Sequence, residues 1–199
     1  MRIDMTSQRK NKNVQNCLKL GYYLICAFCP RVISFQTMNE PYIRPLWDEY
    51  FMNIMQAVST RATCDRGRSG CIIVRDKHIL ATGYVGSPPG LPHCDEVGHQ
   101  MKTTIHEDGH QTQHCVRTIH AEMNAIVQAA RIGVSLEGAT LYCRMTPCAT
   151  CARSIIGAGV RHVICEKRYH AGEESEKMFE QVGIELDFMT AEMQNYAKQ

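Results

Sequence analysis

The sequence predicts an α/β fold, a mostly parallel sheet covered by helices on both faces. Three observations carry this. Short β-rich runs alternate with stretches of helical apolar spacing, the order that builds parallel sheets. The 199 residues fit one domain better than two and can bury a core without disulfides or metal. A composition of 44% apolar and 21% charged residues is globular, which excludes a disordered chain.

Residues 46–62 place apolar groups at i, i+3 and i+4, the pattern of an amphipathic helix. Cys71–Val74 and Ile79–Tyr84 are β-rich runs joined by Asp76-Lys77, a hairpin signal. Residues 85–118 are rich in Gly, Pro and His without a clear period; a loop that long is usually functional or ordered by metal. Helical spacing runs from His120 to Ile132, where Gly133 ends it. Thr140–Cys143 reads as a buried strand. Pro147 opens a helix through Ile156, closed by Gly157 and Gly159. Val160–Cys165 is a strand, Glu173–Val182 a helix and Ile184–Phe188 a last strand. There is no internal repeat.

Charge and cysteine are distributed unevenly. Residues 1–37 hold six basic residues and one acid, a net of +5, while the whole chain nets +2. The remaining 162 residues therefore carry −3, which speaks against a general nucleic-acid binder. The first 37 residues also contain Cys17, Cys26 and Cys29 around an apolar stretch from Leu18 to Phe35. Lys19, Pro30 and Arg31 interrupt that stretch, so it is not expected to span a membrane. No small-residue cleavage site marks it as a signal peptide. Residues 1–37 read as an N-terminal extension, either poorly structured or upstream of a true start at Met38, ahead of a domain over 38–199.

The body holds eight further cysteines and all nine histidines, six of which fall between residues 93 and 120. Eight cysteines allow four disulfides in a secreted protein. Mixed Cys and His in one segment, beside a proper core, suits a reducing cytoplasm and metal ligation better. Cys71, Cys143 and Cys165 alternate with apolar residues in strands and read as buried core.

Chemistry concentrates in His120-Ala121-Glu122 and, 27 residues later, Pro147-Cys148-Ala149-Thr150-Cys151. One His and two Cys supply three zinc ligands and leave a fourth tetrahedral position for water, the arrangement of a catalytic zinc. Cys148 and Cys151 lie three apart on the first turn after Pro147, where a helix N-terminus favours the thiolate form. Glu122, beside the metal, is placed to shuttle protons. H-x-E followed by P-C-x-x-C is the signature of the zinc-dependent nucleobase deaminases. A redox C-x-x-C pair is the alternative, but it leaves His120 and Glu122 without a role.

Beyond these motifs, residues 44–188 resemble the deoxycytidylate (dCMP) deaminases. The resemblance rests on Gly83-Tyr84-Val85-Gly86-Ser87-Pro88, on Cys115-Val116-Arg117-Thr118-Ile119-His120-Ala121-Glu122-Met123-Asn124-Ala125-Ile126, on Glu137-Gly138-Ala139-Thr140-Leu141-Tyr142, on Thr146-Pro147-Cys148 and on the Cys/His-rich insert before His120. Free-cytidine deaminases usually begin the motif with Cys, and the tRNA adenosine deaminases lack the insert. The resemblance implies a three-layer α/β/α cytidine-deaminase-like fold with a central five-stranded mixed sheet. It implies zinc-dependent hydrolysis of dCMP to dUMP and ammonia, feeding dTMP synthesis, by a homo-oligomer, in this family a hexamer, regulated by dCTP and dTTP.

By the same resemblance, zinc, Glu122 and the Ala121 backbone handle the pyrimidine. Arg131 stands where the family binds the 5′-phosphate, and Tyr169 where it has an aromatic near the base. Their alternatives are a solvated helix residue and an ordinary surface or core tyrosine. One position departs from the pattern. The family usually has Asn in its Gly-Tyr-Asn-Gly turn, where the amide contacts the nucleotide; Val85 has no such donor. Cys64, Cys94 and Cys115 match cysteines of many members and imply a second, structural zinc, with His110 as fourth ligand and His93, His99, His106 and His114 as competitors. The competing functions are another zinc deaminase, acting on free cytidine or deoxycytidine, a riboflavin precursor or tRNA adenosine, and a non-catalytic zinc-binding module. Glu122 argues against the last.

Overall fold

The computed structural model describes residues 42–105, 109 and 111–195. The N-terminal extension of residues 1–37, with Cys17, Cys26 and Cys29, lies outside the described residues, as do His106 and His110.

The β-rich runs form the strands β1 (Gly70–Arg75), β2 (His78–Tyr84), β5 (Thr140–Met145), β6 (His162–Tyr169) and β7 (Glu185–Phe188). Their order across the sheet is β2-β1-β5-β6-β7. β1 pairs antiparallel with both β2 and β5, whereas β5–β6 and β6–β7 are parallel. Four of the five strands thus run one way and β1 alone runs against them, a mixed sheet as the resemblance implies. A sixth strand, β8 (Met193–Gln194), pairs with the far end of β6 beyond β7. Asp76 and Lys77 both take positive φ, 51° and 64°. That is the turn geometry that matches the twist of a two-residue hairpin.

Alternation along the strands sorts side chains onto two faces. Ile72, Val74, Tyr142 and Ile164 point to one face, where Phe51, Met52 and Met55 of α1 (Trp47–Ser59) cover them. Cys71, Ile73, Leu141, Cys143, Val163 and Cys165 point to the other. There they pack against α3 (Ala121–Ile132), α4 (Ala149–Gly157) and Phe179 of α5 (Glu173–Val182). The result is three layers, helix on sheet on helices. Cys71, Cys143 and Cys165 sit in register on adjacent strands and are fully buried, so they are core residues as read. Burial pushes the Cys71 thiol up, and the neighbouring Cys165 thiol and burial push up that of Cys143, which keeps both neutral.

The segment 85–118 is less irregular than its sequence suggests. It contains the short helix α2 (Cys94–Val97) and a separate two-stranded antiparallel sheet, β3 (Met101–Ile105) with β4 (Gln111–Cys115). Most residues of this hairpin are exposed, so neither strand shows apolar alternation. Among the described residues no helix is long and apolar enough to cross a membrane.

Candidate active site and metal centres

Two helix N-termini converge on one point. His120 is the N-cap of α3 and Cys148 the N-cap of α4, both with extended backbone dihedrals. Glu122 and Cys151 follow within the first turns. Unpaired N–H groups and the positive ends of two helix dipoles therefore face the site, which favours thiolates and anions.

His120 Nδ1 lies 3.5 Å from the sulfurs of both Cys148 and Cys151. With ordinary Zn–S and Zn–N lengths, the S···N edge of a tetrahedron is about 3.6 Å. The three donors fit one zinc ion with a fourth position open. The Cys151 thiol donates to the Cys148 sulfur and, with His120, holds the Cys148 thiol down at about 3. The Cys148 sulfur in turn raises the His120 imidazole to about 9, against burial. Cys151 is pushed far up by the Cys148 thiolate. A divalent cation bound by both sulfurs takes the place of the proton between them.

Glu122 is buried, and the Cys151 thiol contacts its Oε2 at 3.6 Å. Burial raises its carboxyl above the usual range, with the His120 charge opposing. A carboxyl raised in this way holds a proton more readily than an exposed one, which suits a group that must both take and give it. Ala121, fully buried, sits between the ligand His120 and Glu122 on the same turn.

What holds α3 in place is a close approach to β2. A Cβ at Gly83 would overlap the backbone of Ala121 and Ala125. The turn after β2 is fastened on three sides. Thr63 N–H donates to Val85 O (2.9 Å), Val85 N–H to Ser69 O (3.0 Å) and Asn124 Nδ2 to Tyr84 O (2.6 Å). A bridge from Gly86 to Ile119 completes the frame just before His120. The Val85 backbone is therefore engaged within the fold, and the residue lines the pocket while packing against the edge of the core.

The pocket above Glu122 has a volume of about 660 Å³, the size of a nucleotide-binding cleft. His120, Glu122, Cys148, Cys151, Val85 and Tyr169 all line it. Arg131 does not. It is exposed on the last turn of α3, nine residues from Glu122 and so about 13 Å along the helix axis. The basic side chains that line the pocket besides His120 are Arg66 and His114, which sequence reasoning did not assign to substrate. Both stand in irregular or exposed segments where no periodicity flags them.

A second group of donors consists of Cys64, Cys94, His99 and Cys115, all within 4.8 Å of one another. The Cys94 and Cys115 sulfurs are 3.6 Å apart, and Cys64 Sγ is 3.7 Å from His99 Nδ1. Tetrahedral zinc sets these edges at about 3.8 and 3.6 Å. The three predicted cysteines come together, and His99, one of the competing histidines, supplies the fourth corner. His110, the first choice from sequence, lies outside the described residues. The group ties the end of α1's following loop to α2 and to the base of the β3–β4 hairpin. Cys64 and Cys115 also line the pocket, so the two centres share a wall.

The family model for the cytidine and deoxycytidylate deaminase zinc-binding region matches residues 45–167. ComE operon protein 2 of Bacillus subtilis is 40% identical over 157 residues, 76% of this chain and 78% of that protein. The deoxycytidylate deaminase of Saccharomyces cerevisiae is 37% identical over 144 residues, 72% of this chain. The match spans only 45% of that yeast protein. Among solved structures, the cyanophage S-TIM5 dCMP deaminase in complex with dCMP and dUMP superposes with a TM-score of 0.59 at 30% identity. That match covers 74% of this chain and all of the phage chain.

Proposed function

The chain belongs to the cytidine and deoxycytidylate deaminase family, and from that membership we propose that it hydrolyses dCMP to dUMP and ammonia, which supplies dUMP for dTMP synthesis. One observation carries the reading: three zinc ligands and a buried carboxyl meet at the floor of a nucleotide-sized pocket. The deaminase relatives support dCMP as the substrate. A purely structural metal site has no use for the buried Glu122.

When bound, zinc supplies Lewis acidity and activates water. Glu122 takes the proton from the attacking water and passes it to N3 of the pyrimidine, then takes the proton of the new C4 hydroxyl and delivers it to the amino group, so that the C4–N bond breaks, ammonia leaves and the C4 carbonyl forms. Burial raises the carboxyl's affinity for the proton above that of an exposed carboxylate. The Ala121 backbone, held between His120 and Glu122, orients the base edge, and Tyr169 flanks the ring from the pocket wall. Arg66 and His114, the basic groups at the pocket, take the 5′-phosphate in place of Arg131; a guanidinium fork suits that anion.

The Cys64–Cys94–His99–Cys115 group holds a second, structural zinc that pins the β3–β4 hairpin beside the pocket. None of the eight described cysteines is in a disulfide, which suits a reducing cytoplasm. The body's net −3 disfavours a nucleic-acid substrate. By family likeness the active form is a homo-oligomer, with a hexamer as the expected size.

The experiment is ammonia release from dCMP, dCTP, deoxycytidine, cytidine and CMP. Highest kcat/KM on dCMP supports the reading; turnover of free deoxycytidine but not dCMP overturns it. A finer expectation concerns Val85. Val85→Asn adds one side-chain donor to the pocket, and one hydrogen bond contributes about 1 kcal/mol. KM for dCMP is expected to fall about fivefold with kcat unchanged; an unchanged KM excludes a nucleotide contact at this position.

A further inference from the structure

We infer that Asp65 is a positioning residue that orients His99 as a ligand of the second metal centre. The inference rests on the reading of Cys64, Cys94, His99 and Cys115 as a zinc site. His99 shows its two ring nitrogens to two different partners: Nδ1 faces the Cys64 sulfur at 3.7 Å, and Nε2 lies 3.0 Å from Asp65 Oδ1. A histidine that offers Nδ1 to a metal must be neutral, with its proton on Nε2. The contact with Asp65 is then an N–H···O hydrogen bond to a carboxylate. It fixes the tautomer and the ring orientation, and it raises the basicity of the ligating nitrogen.

The chain builds this arrangement economically. Asp65 follows the ligand Cys64 directly, so one short segment delivers both a ligand and the support for another ligand. Arg68, a nearby guanidinium, is paired instead with Asp95 at 3.2 Å, so it does not draw the Asp65 carboxylate away from His99. Without Asp65 the imidazole is free to turn its ring by half a revolution or to carry its proton on Nδ1, and either change withdraws the donor from the cluster. Asp95 provides a matched comparison. It too is an acid next to a ligand cysteine, Cys94, but its carboxylate faces Arg68 and no ligand.

The test is zinc affinity by competition with a chromophoric chelator, on the full chain, for wild type, Asp65→Ala, Asp65→Asn and Asp95→Ala. Wild type is expected to hold two zinc ions per chain. Asp65→Ala is expected to weaken one of them about 10–100-fold while the other is unchanged, the usual effect of removing such a support. Asp95→Ala is expected to leave both at wild-type affinity. Should Asp65→Ala not fold, Asp65→Asn reads the same constant, with an expected weakening near tenfold because the amide oxygen still accepts the hydrogen bond. Wild-type affinity at both sites in the Asp65 variants overturns the inference, as does equal weakening in Asp95→Ala. A single zinc in the wild type overturns the second-centre reading itself, a failure visible before any variant is made.

Discussion

Glu122→Gln is expected to retain its zinc and lose turnover. The amide matches the carboxyl in size and can sit in the same buried position, so the ligands His120, Cys148 and Cys151 are undisturbed. It cannot accept a proton from water or return one to the ring and the leaving amine. Removing a positioned acid–base group typically costs about 10²–10⁴-fold. The expectation is a fall of that size in kcat, with metal content by elemental analysis and KM for dCMP both near wild type. Near-wild-type turnover would falsify the assignment of proton transfer to Glu122. Loss of zinc together with activity would instead make Glu122 a structural support of the site.

Gly83→Ala is expected to be the most damaging small substitution remote from the reacting groups. The added carbon meets backbone atoms of Ala121 and Ala125, which cannot rotate aside as a side chain can. The first turn of α3 must lift from β2, and that turn carries His120 and Glu122. Overpacking of this kind costs about 3 kcal/mol. For a chain of this size that corresponds to a melting temperature lower by roughly 6–12 °C. The folded fraction is expected to show weakened zinc retention and reduced kcat, since ligand and proton carrier move with the turn. Gly157→Ala is the control: its Cβ meets nothing within 4 Å and its φ is negative, so stability should hold or rise slightly. An unchanged melting temperature and kcat in Gly83→Ala would mean that α3 is not seated by this contact.

The active-site floor was legible in the sequence because its residues stand at helix starts. Pro147, and the switch to helical spacing at His120, mark those starts, and the short separations H-x-E and C-x-x-C then fix which side chains share a turn. The strands were legible for a similar reason. Cys71, Cys143 and Cys165 alternate with Ile72, Tyr142 and Ile164, and that period of two reappears as the two faces of the sheet. The β3–β4 hairpin was not legible. Lys102, Thr103, Gln113 and His114 are exposed, and the strands are joined by backbone pairing and a polar Gln113–Thr103 contact rather than by an apolar face, which leaves no hydrophobic trace.

The basic residues that line the pocket were not legible for another reason. Arg131 matches a family position along the chain, but the rise of α3 carries it to the far end of the helix. Arg66 and His114 reach the pocket through the fold around the second donor group, which no local pattern announces. His99 was one of four histidines competing with His110 for the fourth position. Its contact with Cys64 separates it from the described competitors His93 and His114, which lie outside the donor group.

Whether dCMP hydrolysis depends on zinc is decided by restoring the metal to the stripped chain while following ammonia release from dCMP. Negligible release is expected before zinc is added, with recovery on addition and dUMP and ammonia formed one to one. Full activity in the stripped chain would contradict a zinc-dependent hydrolysis, and so would a zinc-restored chain that leaves dCMP unchanged.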